Sequence, residues 1–296
     1  MRDRIQLRAL AKINLGLDVL RRREDGYHEV KMIMQTVTLH DELELHRTKE
    51  AGIRVETNLP YLPTNENNLV YKAAKLLMDE FTIRDGLMIR LTKRIPVAAG
   101  MAGGSSDGAA VLWGMNQMYD LGLSREALME RGVRLGADVP YCVMRGTALA
   151  EGIGEKLKPL PSMPRCTILI AKPGVNVSTR FAYENLHANE LRPEQHPDVD
   201  AMIEALERGD LQLLASRMGN VLESVTEPLY PAIGGIKQCM LENGALGALM
   251  SGSGPTVFGI FEKRSAARGA FAAIKSAGLA KQVYLVTPYN INRQRA

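Results

Sequence analysis

Cysteine is scarce in this chain of 296 residues. The three cysteines, Cys142, Cys166 and Cys239, are odd in number and show no C-x-x-C spacing. That pattern argues against a disulfide framework and against a cysteine-based zinc site. The five histidines form no H-E-x-x-H pair, and no G-x-S-x-G elbow is present, so metalloproteases and serine hydrolases gain no support.

Aromatic residues and long apolar runs are also few. Aromatics make up 5% of the chain, and its net charge of +4 comes from dispersed basic residues, so no nucleic-acid partner is expected. No apolar run approaches the ~20 residues that cross a bilayer, and the start of the chain lacks the apolar region of an export signal. We therefore expect a cytoplasmic protein with no membrane partner, whose oligomeric state is a monomer or a homodimer.

The composition that remains, 46% hydrophobic and 24% charged, is typical of a globular protein. A proline-punctuated stretch at 158–164 marks the best boundary, which predicts an N-terminal domain at 1–160 and a C-terminal domain at 161–296. Residue patterns predict strands at 5–20, about 30–47 and 167–171, helices at 69–81, 199–207 and 211–218, and a hairpin of 248–250 with 257–261.

A glycine-rich turn lies between an alternating run (Leu87, Ile89, Leu91) and an apolar helical pattern. Glycine lets backbone N–H groups approach an anion closely, and a helix start presents a positive end. The pattern fits neither G-x-x-x-x-G-K-[ST] nor G-x-G-x-x-G, so it predicts a phosphate site of another architecture, with a plain flexible turn as the alternative. The residues of this expected ATP-binding loop are Pro96, Val97, Ala98, Ala99, Gly100, Met101, Ala102, Gly103, Gly104, Ser105 and Ser106.

Two further motifs flank the loop in sequence. Residues 11–17 read AKINLGL, and residues 249–256 read LMSGSGPT. In this order and spacing the three motifs resemble those of the GHMP kinases, the family named for galactose, homoserine, mevalonate and phosphomevalonate kinases. The resemblance implies an α+β fold of two domains, ribosomal protein S5 domain 2-like at the N-terminus and ferredoxin-like at the C-terminus, with the active centre in the cleft between the domains. It also implies phosphoryl transfer from ATP to an alcohol.

The same resemblance assigns two catalytic residues. Alternation along the first motif places Lys12 and Asn14 on one face of a strand. By position alone, Lys12 is compatible with a charge exposed to solvent. The family, however, places a lysine here beside the reacting hydroxyl, where its ammonium offsets the charge that develops on the transferred phosphoryl group. Asp138, in the sequence LGADVP, suits a helix cap by position alone, whereas the family match implies the catalytic base. The two residues are expected to lie near each other.

A second set of residues is expected to bind the alcohol. Asp25-Gly26-Tyr27-His28 is similar to a motif of those family members whose substrate is a small molecule linked to cytidine diphosphate. The match implies that Tyr27 stacks on the cytosine ring and His28 hydrogen-bonds to it. Tyr183 would form the opposing wall, with Thr179 and Asn14 as further contacts, and ordinary surface packing is the alternative for Tyr27 and His28.

Three points stay open in the sequence. Asp107 is either structural or a weak metal candidate, because an acid near a phosphate repels it unless a cation intervenes. Magnesium is expected with ATP, and Ser106 is a candidate ligand, but the protein ligands of the metal are unknown. Asn67 and Asn68 either lie near adenine or cap a helix. The alternatives to the cytidine-linked substrate are another alcohol, mevalonate or homoserine, and a noncatalytic nucleotide- or RNA-binding module.

Overall fold

Two long strands open the chain in the computed structural model, which describes residues 2–291. They are β1 (Arg4–Arg22) and β2 (His28–Thr48), and both confirm strands predicted from alternation. Their central residues are almost all buried, which is typical of strands covered on both faces. Each strand contributes to both of the compact units into which the chain divides.

The first unit comprises residues 2–11, 39–97 and 102–144 of the described chain. β4 pairs antiparallel with β2, with Leu45 opposite Ile89, and pairs in parallel with β3. Besides the ends of β1 and β2, its elements are β3 (Ile53–Thr57), α1 (Leu69–Glu80), β4 (Gly86–Thr92), α2 (Gly103–Tyr119), α3 (Arg125–Val133) and α4 (Val139–Met144).

Helix packing in this unit follows from local sequence. The Asn68 side chain accepts a hydrogen bond from the Val70 backbone N–H at 3.1 Å, so the capping alternative for Asn68 is confirmed. Helix α2 packs tightly on the strands because Gly114 has no side chain. A Cβ at Gly114 would lie 2.4 Å from Leu7 Cδ1 and 2.6 Å from Leu45 Cδ1.

The second unit comprises residues 12–38, 98–101 and 145–291 of the described chain. The N-terminal part of β2 pairs antiparallel with one strand of this unit, with Ile33 opposite Leu149, and β1 pairs in parallel with another at Gly16. The strands are β5 (Thr147–Gly152), β6 (Lys156–Pro159), β7 (Thr167–Lys172), β8 (Gly219–Asn220), β9 (Gly247–Met250), β10 (Val257–Phe261) and β11 (Gln282–Val286). The helices are α5 (Thr179–Glu184), α6 (Val199–Arg208), α7 (Leu211–Arg217), α8 (Glu223–Leu229), α9 (Ala232–Glu242) and α10 (Arg264–Ser276).

Four strands of this unit form an antiparallel sheet in the order β11-β7-β10-β9. Every residue of β10 is buried, and helices α9 and α10 pack on the sheet. The predicted strand at 167–171, the helices at 199–207 and 211–218 and the hairpin around the third motif are all confirmed. The two units are built from interleaved segments, and the division into domains at 1–160 and 161–296 stays a prediction.

Candidate active site

The first motif lies on β1, where Lys12 and Asn14 point to the same side as predicted. Lys12 is 5% exposed, and its Nζ donates to Asn14 Oδ1 at 2.6 Å. Asn14 is fully buried, and its Nδ2 lies 3.2 Å from Met32 Sδ. No carboxylate of its own unit pairs with Lys12 within the described residues. A buried ammonium held by a neutral amide keeps its charge available for an anionic ligand.

The glycine-rich loop leads into the N-terminus of α2, which begins at Gly103. Ala102 precedes it in the left-handed conformation (φ 53°), and no side chain of residues 2–291 caps the helix there. The N–H groups of Gly103, Gly104 and Ser105 therefore lack intrahelical partners. Gly104 is exposed, so this helix end is open to an anion from solvent.

Ser106 departs from the expected geometry. Its hydroxyl donates to the Leu10 carbonyl oxygen at 2.7 Å, and its backbone N–H donates to the Ala102 carbonyl oxygen at 2.8 Å. The side chain is buried. Both donors of Ser106 are therefore used within the protein, so the backbone around Gly103 and Gly104 carries the anion-binding capacity. The hydroxyl oxygen keeps its lone pairs, and a role for Ser106 as a metal ligand stays a prediction.

The third motif forms the turn between β9 and β10 and contacts the glycine-rich loop through Gly100. Ser251 Oγ donates to the Gly100 carbonyl oxygen at 2.9 Å and accepts from the Asn14 backbone N–H at 3.3 Å. Gly100 has φ +73°, and a Cβ built there would lie 2.0 Å from the Ser251 carbonyl oxygen. Only glycine fits this contact, which joins residues of all three motifs.

Asp138 immediately precedes α4 and is partly exposed. Its carbonyl oxygen accepts the Cys142 backbone N–H at 3.1 Å. Within the described part of its own unit the carboxylate makes no capping hydrogen bond, so the cap alternative gains no support. Asp138 belongs to the first unit and Lys12 to the second, and their proximity stays a prediction.

Sequence reasoning missed the partners of Asp107. The Asp107 carboxylate pairs with Lys93 Nζ at 2.7 Å, and the same ammonium pairs with Asp41. All three side chains are buried, and Asp107 Oδ1 has no hydrogen-bond partner among residues 2–291. Burial raises the pKa of the Asp107 carboxyl well above its usual range. Burial lowers the pKa of Lys93, but the charges of Asp107 and Asp41 outweigh this effect and raise it. Asp107 therefore has a structural role. The Lys93 ammonium also lies close to the start of α2, since a Cβ at Gly103 would lie 3.1 Å from Lys93 Nζ.

The residues expected to bind cytidine are partly brought together. The rings of His28 and Tyr183 lie 5.3 Å apart at an interplanar angle of 46°. Tyr27 is 62% exposed, and Thr179 Oγ1 lies 2.8 Å from Ser253 Oγ of the third motif. Burial, together with the charge of Arg22, lowers the pKa of His28, so the imidazole is neutral at pH 7 and has one donor and one acceptor for a ligand.

The described residues contain neither a cluster that could hold a metal ion nor a helix that could span a membrane. No group of three or more His, Cys, Asp or Glu side chains is placed to hold a metal ion within residues 2–291. In the same part of the chain, no helix combines the length and the apolar character that a bilayer crossing requires.

Comparison with known proteins fits this geometry. The model of the GHMP kinase N-terminal domain matches residues 68–146, and the model of the GHMP kinase C-terminal domain matches residues 202–280. The chain belongs to the GHMP kinase family. It is accordingly a kinase with ATP as the phosphoryl donor, and the predicted α+β fold with two GHMP kinase domains is confirmed.

Individual GHMP kinases are similar over nearly the whole chain. A 4-diphosphocytidyl-2-C-methyl-D-erythritol kinase of Lachnospira eligens is 57% identical, covering 95% of this chain and 97% of that protein. A protein of the same name from Lachnoclostridium phytofermentans is 56% identical, covering 96% and 97%. The crystal structure of a 4-(cytidine 5'-diphospho)-2C-methyl-D-erythritol kinase superimposes with a TM-score of 0.82 at 34% identity, covering 97% of this chain and 100% of that one.

Proposed function

We propose that this GHMP kinase transfers the γ-phosphoryl group of ATP to the 2-hydroxyl of 4-diphosphocytidyl-2-C-methyl-D-erythritol. The products are the 2-phosphate and ADP, and the reaction belongs to the non-mevalonate route of isoprenoid precursor synthesis. The observation that carries the proposal is the 57% identity, over 282 residues, to a kinase named for this substrate. The neighbouring rings of His28 and Tyr183, tilted at 46° to each other, add aromatic and polar groups suited to contact with a nucleobase.

In this proposal Lys12 and Asp138 are the catalytic residues. The Lys12 ammonium, fixed by Asn14, holds the acceptor hydroxyl and offsets the charge that develops on the phosphoryl group. Asp138 accepts the hydroxyl proton as the oxygen–phosphorus bond forms and the bond to ADP breaks. The role is supported by the Asp138 carboxylate, which makes no capping hydrogen bond within the described part of its own unit.

The nucleotide would be bound by the loop of residues 96–106. Backbone N–H groups at the open end of α2 would bind the phosphates, with the turn of the third motif packed against Gly100. We propose that ATP arrives as its magnesium complex, because the metal neutralises charge on the bridged phosphate oxygens. No carboxylate of the described residues is assigned as its ligand.

The alcohol would be recognised by its cytidine group. We propose that Tyr27 and Tyr183 stack on the cytosine ring and that neutral His28 hydrogen-bonds to its edge. Asn14 and Thr179 would contact the remainder of the substrate. The enzyme would work in the cytoplasm as a monomer or homodimer, with functional domains at 1–160 and 161–296.

The test is ATP turnover by the purified protein with the diphosphocytidyl alcohol, mevalonate or homoserine, each at matched concentration. Turnover with only the first substrate supports the proposal, and competition by a cytidine nucleotide supports the base site. Turnover with mevalonate or homoserine instead would keep the family and overturn the substrate. No turnover with any alcohol, joined to tight RNA binding at physiological salt, would favour a binding module.

The same assay tests the base. Asp138→Asn keeps the shape of the side chain and removes its basicity, so kcat should fall by at least ~10²-fold. Asp120→Asn is the matched control, because Asp120 is an exposed residue at the C-terminal end of α2 in the left-handed conformation, which asparagine also adopts. Equal activities of the two variants would contradict the role of Asp138.

A further inference from the structure

Asn220 is a buried amide whose nitrogen holds one turn and whose oxygen accepts from the backbone two residues along the chain. It lies at the end of β8 and is 7% exposed. Its Nδ2 donates to the carbonyl oxygens of Met250 and Gly252, both at 2.8 Å, and its Oδ1 accepts from the Leu222 backbone N–H at 3.0 Å. The two carbonyl groups flank Ser251, so Asn220 fixes the backbone on both sides of this serine.

Ser251 in turn joins the other two motifs. Its hydroxyl accepts from the Asn14 N–H and donates to the Gly100 carbonyl oxygen. The turn also lies close to the glycine-rich loop at Gly252, where a Cβ would lie 3.2 Å from the Gly100 carbonyl oxygen. The position of Gly100 therefore depends on Ser251, and the position of Ser251 depends on Asn220.

A neighbouring carboxylate secures the same turn. Glu223 Oε1 accepts from the Met250 backbone N–H at 2.8 Å, and Oε2 pairs with Lys237 Nζ at 2.9 Å. The peptide groups on both sides of Met250 are thus held by α8 and β8. The turn is supported by side chains that lie outside the three motifs and, within residues 2–291, make no hydrogen bond to residues 96–106.

We propose that Asn220 is a positioning residue for the nucleotide site, acting through Ser251 on the glycine-rich loop at Gly100. The inference rests on the proposed role of that loop in binding the phosphates of ATP. An amide is required because only an amide of this shape donates two hydrogen bonds and accepts a third. Aspartate has the same shape but would present an oxygen to two carbonyl oxygens.

The test compares Asn220→Asp with Asn116→Asp. Asn116 is a matched control, because its side-chain amide also donates to and accepts from the backbone. Its nitrogen donates to the Leu123 carbonyl oxygen at 2.9 Å, and its oxygen accepts from the Leu123 N–H at 3.0 Å. ATP affinity is measured by calorimetry, and KM for each substrate by steady-state kinetics. We expect Asn220→Asp to weaken ATP binding about tenfold or more and to raise KM for the alcohol by a smaller factor, because Ser251 also bonds to Asn14, whereas Asn116→Asp lowers the melting temperature alone.

A double-mutant cycle with Ser251→Ala tests the route of the effect. If Asn220 acts through Ser251, the double variant binds ATP with about the same affinity as the single variant that has the lower ATP affinity. Additive losses, or an unchanged ATP affinity in folded Asn220→Asp, would overturn the inference. Should Asn220→Asp not fold, Asn220→Ser, which keeps one hydroxyl donor, replaces it in the same cycle. Wild-type protein that fails to bind ATP would instead refute the proposed function of the loop.

Discussion

Replacing Gly100 by alanine tests the packing at the centre of the site. The backbone at Gly100 has φ +73°, and the added Cβ would be placed 2.0 Å from the Ser251 carbonyl oxygen. A backbone oxygen cannot move away as a flexible side chain does, so the turn of the third motif must shift as a whole. Gly209→Ala is the matched control, since Gly209 has φ +65° and open space around its Cβ position.

The expected loss of stability has two causes, the left-handed backbone conformation and the displacement of the turn. A left-handed alanine costs about 1–2 kcal/mol in either variant. In Gly100→Ala the shift also disrupts the bond from the Gly254 N–H to the Ser251 carbonyl oxygen and the bond from Ser251 Oγ to the Gly100 carbonyl oxygen. Each contributes about 1 kcal/mol, which gives a total of about 3–4 kcal/mol for Gly100→Ala.

Urea unfolding of both variants measures the cost, and calorimetry with ATP measures the effect on the nucleotide. We expect Gly100→Ala to lose about 2 kcal/mol more stability than Gly209→Ala, and to bind ATP about tenfold more weakly while Gly209→Ala binds as wild type does. Equal stability losses together with equal ATP affinities would refute the packing argument.

Three further outcomes are expected. KM for the diphosphocytidyl alcohol should rise as the pH falls below about 6.5, because protonation removes the hydrogen-bond acceptor of His28, whereas KM for ATP should not change. A KM for the alcohol that does not depend on pH would exclude neutral His28 from binding. Burial raises the pKa of Asp107, so the contribution of this carboxyl to stability is present at low pH and is lost as the pH rises. The unfolding free energy of Asp107→Asn should therefore rise relative to that of wild type as the pH increases from about 4 to 7, and a constant difference would contradict the raised pKa. Gly114→Ala should lower stability by up to about 2 kcal/mol without changing KM for ATP, because overpacking against Leu7 and Leu45 costs about 1–3 kcal/mol and the helix propensity of alanine returns about 1 kcal/mol. A stability well above that of wild type would contradict the overpacking argument.

The sequence by itself determined the local features of this protein. Alternation predicted β1 and placed Lys12 beside Asn14, because neighbouring even positions of a strand share a face. The cap at Asn68 was one of two alternatives that the sequence offered, and it is a local feature because the bond to the Val70 N–H joins residues two apart. The order of the three motifs identified the family, since those short segments carry the backbone geometry of the loop.

Tertiary structure alone decided which distant side chains meet. Lys93 bonds to Asp41 and Asp107, and Asn220 bonds to Met250 and Gly252, across separations of 14 to 52 residues that no local periodicity encodes. The hydroxyl of Ser106 turned inward because a carbonyl of β1, Leu10, lies within hydrogen-bonding distance. Burial, which follows from packing and not from residue type, then raised the pKa of Asp107 and lowered that of His28.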